Sequence, residues 1–120
     1  MKKIFTIIGI LFSVSMFAQN GDAVMGALKE GSASNFCSYF SNSVDIKFPL
    51  QDEMKNVSKA EASSAVAEFF TSNNIIGFDV TSQREMSGTM YIAGKLKGSL
   101  KSFNLTVMLK NGAVITVRIG

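Results

Sequence analysis

The sequence predicts an α+β fold in which a curved antiparallel sheet wraps around N-terminal helices. Three observations predict it. Apolar residues recur at helical spacing before residue 44, the period changes to two from Val44 onward, and one serine-started helical segment separates the first strands from the last four.

The chain of 120 residues opens on Met1-Lys2-Lys3 and continues into an apolar run over residues 4–17, interrupted only by Thr6, Gly9, Ser13 and Ser15. Composition turns polar at Gln19-Asn20-Gly21-Asp22. A positive start, an apolar centre and a small residue at Ala18 are the order of a secretory signal. The run is shorter than the roughly 20 residues a membrane span needs. Residues 1–18 are therefore expected to be a signal peptide and residues 19–120 a single domain, periplasmic or secreted, with no membrane association after signal removal. Met16 stands where a small residue is preferred two positions before Ala18, which leaves the cleaved bond itself open.

Over residues 22–30, Val24, Ala27 and Leu28 share a helical face and Gly31 supplies a stop. Ser32 or Ser34 can cap a second short helix in which Phe36, Tyr39 and Phe40 lie on one side. Val44, Ile46, Phe48 and Leu50 then alternate with polar residues, and Pro49 points to an edge position or a strand end. A short strand over residues 53–57 precedes Ser58-Lys59-Ala60-Glu61, which has the spacing of a capping box. The helix expected there carries Ala62, Ala65, Val66, Phe69 and Phe70 as its apolar stripe and ends at Asn73-Asn74.

Four extended segments follow. Their inward sets are expected to be Ile76, Phe78 and Val80; Met90, Ile92 and Leu96; Phe103, Leu105, Val107 and Leu109; and Ile115, Val117 and Ile119. Asn111-Gly112 is a strong signal for a two-residue hairpin. Short links between these segments make the sheet a meander, and Gly88, Gly94 and Gly98 read as bends that help to curve it.

Composition excludes several function classes. The net charge of +3 owes two lysines to the leader, and Lys95, Lys97, Lys101, Lys110 and Arg118 are spread over alternating strand positions. They form no stripe of the kind that neutralises phosphates, so no nucleic-acid partner is expected. The chain has no histidine and one cysteine, Cys37, in an apolar-spaced run. That thiol reads as a small core residue without a base to activate it. Scattered carboxylates, with Asp52-Glu53 the one adjacent pair, predict no metal site. No glycine loop cradles a phosphate, and no cofactor is expected.

The element order resembles the nuclear transport factor 2-like, or cystatin-like, fold. Three segments also resemble a domain-of-unknown-function family of small exported bacterial proteins. They are Ser58-Lys59-Ala60-Glu61-Ala62 leading to Glu68-Phe69-Phe70, the run Tyr91-Ile92-Ala93-Gly94-Lys95-Leu96, and Ile115-Thr116-Val117-Arg118-Ile119. The resemblance implies a cone-shaped interior and no known reaction.

The expected function is a non-enzymatic binding or protein-interaction module. Phe36, Tyr39, Phe69, Phe78 and Phe103, with Phe40 and Phe70, could line a cone that holds a small apolar ligand, or could fill it as core. Thr106, Met108 and Thr116 give the outer sheet face a mixed surface suited to a homodimer. The alternative is a small-pocket enzyme of the ketosteroid isomerase or dehydratase type, which the fold resemblance implies. Asp45, Asp79, Tyr39 and Tyr91 are its raw material, but both aspartates fall on the strand parity that faces solvent, so no catalytic residue is assigned.

Overall fold

A computed structural model describes residues 16–120, with side chains described from Gly21 onward. The expected leader lies outside the described residues except for its last three backbone positions. Among the described residues no helix is long and apolar enough to cross a membrane.

Helix α1 (Met16–Lys29) buries Val24, Ala27 and Leu28. It stops as expected at Gly31, whose φ is +70°, with the Gly31 N–H on the Leu28 carbonyl at 3.0 Å and the Ser32 N–H on the Ala27 carbonyl at 2.9 Å. These two bonds satisfy carbonyls that a helix end leaves without partners. Ser32 then caps α2 (Ala33–Cys37), its hydroxyl accepting from the Asn35 N–H at 3.2 Å.

The second helix is shorter than its spacing predicts. The Ser38 hydroxyl and N–H both bond the Asn35 carbonyl and close the turn. Phe40 then pairs with Val114 as the first residue of β1 (Phe40–Lys47), so the ladder takes it from the helix. Along β1, Val44 and Ile46 are buried and Phe48 continues on the same side just past the strand. Leu50 does not continue it. The chain leaves the sheet at Pro49, the Gln51 N–H bonds the Phe48 carbonyl at 3.2 Å, and Leu50 sits fully exposed in this turn with φ +63°.

Strand β2 (Met54–Ser58) leads into α3 (Lys59–Ser72). The Ser58 hydroxyl accepts from the Glu61 N–H at 3.3 Å, as the capping spacing predicts. Ala62, Val66 and Phe70 are buried along α3, and Ala65 and Phe69 are half-buried against the core. The remaining strands are β3 (Ile75–Met86), β4 (Thr89–Gly98), β5 (Ser102–Lys110) and β6 (Ala113–Ile119). The sheet runs β2-β1-β6-β5-β4-β3, curved and unclosed, with β1 parallel to β6 and the other four pairs antiparallel.

Bulges adjust the expected alternation in two places. At the start of β3 the register shifts between Ile75 and Gly77, so Ile75 turns in and Ile76 is exposed. In β6 the shift leaves Ile115 as the extra residue, half-exposed, and Val114 takes the inward position. Asn111 and Gly112, at φ +55° and +80°, form the predicted hairpin with both central residues left-handed. Gly94 faces inward on β4, where a Cβ would collide with the Asp79 carbonyl and come within 2.7 Å of the Phe78 ring. Its bare backbone lets β3 fold closely over β4.

Helix α1 packs on β3 and β4, and α3 packs on β1 and β2 with α2 alongside. The interior between helices and sheet is one continuous apolar cluster that includes Leu28, Phe36, Ile46, Val66, Ile92, Leu105 and Val117.

Candidate binding groove

Successive residues on a helix point about 100° apart, and at the end of α3 this sends neighbouring phenylalanines into different surroundings. Phe70 turns into the core against Phe36, with centroids 6.3 Å apart and rings nearly parallel, and Phe36 meets Phe40 edge-on at 5.2 Å. Phe69 turns the other way. It stacks on Phe48 at 5.5 Å and meets Phe103 edge-on at 5.0 Å. Both sets of distances are those at which aromatic rings attract.

The second set opens into a groove of about 450 Å³. Phe48, Pro49, Gln51 and Met54 form one wall; Ala65, Glu68, Phe69, Ser72 and Asn73 of α3 and its cap form another; Lys101 and Phe103 close the third. The Asn73 side-chain amide donates to the Phe69 carbonyl at 2.9 Å, which anchors the end of the helix wall. The Lys101 ammonium lies 5.0 Å from the Phe103 ring centre, within cation–π range. The lining therefore offers aromatic and thioether surface with one acidic and one basic residue. Beside it stand Leu50 and Leu100, at 103% and 96% relative exposure, and Met54 in its wall is half-open.

Of the five candidate residues, the structure brings together Phe69 and Phe103. Phe36 and Phe78 are closed into the core, and Tyr39 is half-buried at a separate shallow cleft with Ala23, Gly26, Glu30 and Asn35. Sequence reasoning missed the loop wall. Phe48 read as an ordinary strand residue, and Pro49, Gln51 and Met54 carry no periodic signal. The exposed leucines beside Pro49 and Lys101 were the available sign, but Leu50 fitted the strand alternation.

The other candidate chemistry is placed elsewhere. Asp79 is exposed on the outer side of β3, 2.9 Å from Lys97. Asp45, half-buried on the outer side of β1, accepts from the Asn56 N–H at 2.9 Å. Tyr91 pairs with Met108, and Met108 with Thr116, on the outer face. Among the described residues no group of three or more His, Cys, Asp and Glu is placed to hold a metal ion. Cys37 is buried, its thiol donating to the Ser63 carbonyl at 3.7 Å, and burial pushes that thiol up to about 11, against the opposing effects of the Ser63 side chain and the charge of Lys59. It stays a protonated thiol at neutral pH.

A bent, unclosed six-stranded sheet with helices on one face defines the class of nuclear transport factor 2-like and cystatin-fold proteins. An NTF2-like protein of unknown function from Burkholderia xenovorans LB400 superposes with a TM-score of 0.67 at 9% identity, covering 91% of this chain and 84% of that one. Within that class, the family model of the domain of unknown function DUF4783 matches residues 21–119, and the chain belongs to that family. A DUF4783 protein from Bacteroides ovatus ATCC 8483 superposes with a TM-score of 0.73 at 29% identity, over 81% of this chain and 90% of that one. Another, from Bacteroides uniformis ATCC 8492, gives 0.74 at 22% identity, over 82% and 93%. No curated protein matches the chain.

Proposed function

We propose that this protein is an exported, non-enzymatic binding module whose groove between α3, the loop after β1 and the start of β5 receives an apolar group. One observation carries the reading: Phe48, Phe69 and Phe103, packed as closely as Phe36, Phe40 and Phe70, line an open groove. Apolar concavities with a few polar groups at the rim are what ligand sites are made of. The positions of Asp45 and Asp79 outside the cone support binding over proton transfer. Export rests on the leader, with its Lys2-Lys3 start and the apolar run of residues 4–17.

The groove is tested with the apolar fluorophore anilinonaphthalene sulfonate. Phe69→Ser is expected to weaken its binding about tenfold while far-ultraviolet circular dichroism stays unchanged. Equal affinity in both proteins contradicts the reading. Export is tested by sequencing the N-terminus of protein recovered from the cell envelope; a chain that keeps Met1 in the cytosol contradicts it.

A further inference from the structure

We infer that the groove's occupant is the same end of a second copy of this chain, with Leu50 and Leu100 of each copy entering the groove of the other and Glu68 of one meeting Lys101 of the other. The inference rests on the binding reading above and names its partner.

A two-fold interface uses one patch on both subunits, so that patch must complement itself. This one does so in shape and in charge. It carries a groove of about 450 Å³ lined in part by aromatic rings and, on the turns that continue its walls, two leucines with essentially all of their surface in water. It also carries one carboxylate and one ammonium on the groove lining. Among the described residues the two ion pairs within 4.0 Å are Lys97–Asp79 and Arg118–Glu53, so Glu68 and Lys101 keep their charges available to a partner.

Leu50 adds an independent argument. Its φ of +63° is a conformation in which a Cβ crowds the following carbonyl, and a leucine has no side-chain hydrogen bond to compensate. The strain displays a side chain that touches nothing in its own chain, which is unfavourable twice over in an isolated protomer. Docking into a second copy removes the exposure.

Other occupants fit less well. A small apolar ligand fills the groove but leaves both leucines wet. An anionic bilayer would select a basic end, whereas the groove lining here balances one ammonium, Lys101, with one carboxylate, Glu68. The outer sheet face sets Lys95, Lys97 and Asn104 beside Thr106 and Met108, and Thr116, the neighbour of Met108, is already buried within the chain.

The test is the mass in sedimentation velocity of protein expressed from the full chain, across protein concentrations. The wild type is expected to sediment at twice the protomer mass and L50D/L100D at the protomer mass. E68K and K101E are each expected to weaken association about tenfold. The double variant E68K/K101E restores it, and an equimolar mixture of the two single variants forms mixed pairs, because a two-fold axis then places opposite charges together at both contacts. Anilinonaphthalene sulfonate binding should fall as wild-type concentration rises and stay constant in L50D/L100D.

A wild type that stays monomeric at high micromolar concentration overturns the inference. So does a dimer that survives L50D/L100D but is lost in M108K, which assigns pairing to the outer face. Leucine-dependent flotation with phosphatidylglycerol vesicles overturns it in favour of a bilayer. If the protein is monomeric but the dye still depends on Phe69, the groove reading stands alone; if the dye ignores Phe69, the groove reading fails as well.

Discussion

Two phenylalanine clusters, built from the same residue type and joined through adjacent positions on one helix, differ in whether a groove opens beside them. Phe36, Phe40 and Phe70 are closed in at no more than 5% exposure, under α2 and the start of β1. Phe48, Phe69 and Phe103 are packed as tightly ring to ring, and Phe48 and Phe103 are nearly as buried at 8% and 6%, yet a groove opens over them between α3 and the loop after β1, with Phe69 half-buried. Aromatic clustering alone therefore does not distinguish core from site. What distinguishes them is whether the chain supplies cover, and here the loop after Pro49 turns away and presents Leu50 to solvent.

The comparison can be broken most forcefully on its closed side. Phe36→Ala removes a fully buried ring with two aromatic partners and should cost about 3–5 kcal/mol in urea unfolding. A loss comparable to that of an exposed substitution would mean the first cluster is not closed. Gly94→Ala should cost about 2–3 kcal/mol, because the added methyl meets the Asp79 backbone, which cannot rotate away. Its calorimetric midpoint should fall accordingly, and an unchanged midpoint would refute the close approach of β3 to β4.

Phe69→Ala should be the mildest of the three substitutions, about 1 kcal/mol, since the half-buried ring already faces solvent on one side. A cost equal to that of Phe36→Ala would show the groove to be filled core.

The last expected effect concerns Cys37 and appears only in alkali. Its folded pKa of about 11 lies above the ordinary 9.0, so the folded state holds the proton more tightly than the unfolded one. This contribution is fully present below pH 9 and is lost as pH rises from 9 towards 11. Cys37→Ala should flatten the alkaline decline in urea midpoint across that window, and an unchanged slope would show that the thiol is not buried as described.

How much of this was legible in the sequence follows from what each segment's local chemistry encodes. The capping serine Ser58, the stop at Gly31 and the Asn111-Gly112 hairpin are local signals, and each forms as its residue types dictate. The inward set of β5 was equally plain, because Phe103, Leu105, Val107 and Leu109 keep an uninterrupted period of two. Ile76 and Ile115 escaped because a one-residue bulge reverses the parity of everything around it, and a bulge leaves no mark in an apolar pattern. Phe40 escaped because its competing partner, Val114, lies at the far end of the chain. The groove was half legible: Phe69 and Phe103 could be named from their stripes, whereas Phe48, Pro49, Gln51 and Lys101 join them only through tertiary folding.

The central claim, that one phenylalanine cluster is open to an apolar visitor and the other is not, is tested most directly by ring-selective carbon–proton NMR during titration with a short alkyl carboxylate. The account predicts that the ring signals of Phe48, Phe69 and Phe103 shift and saturate while those of Phe36, Phe40 and Phe70 stay still. Equal shifts in both clusters, or none in either, would contradict it.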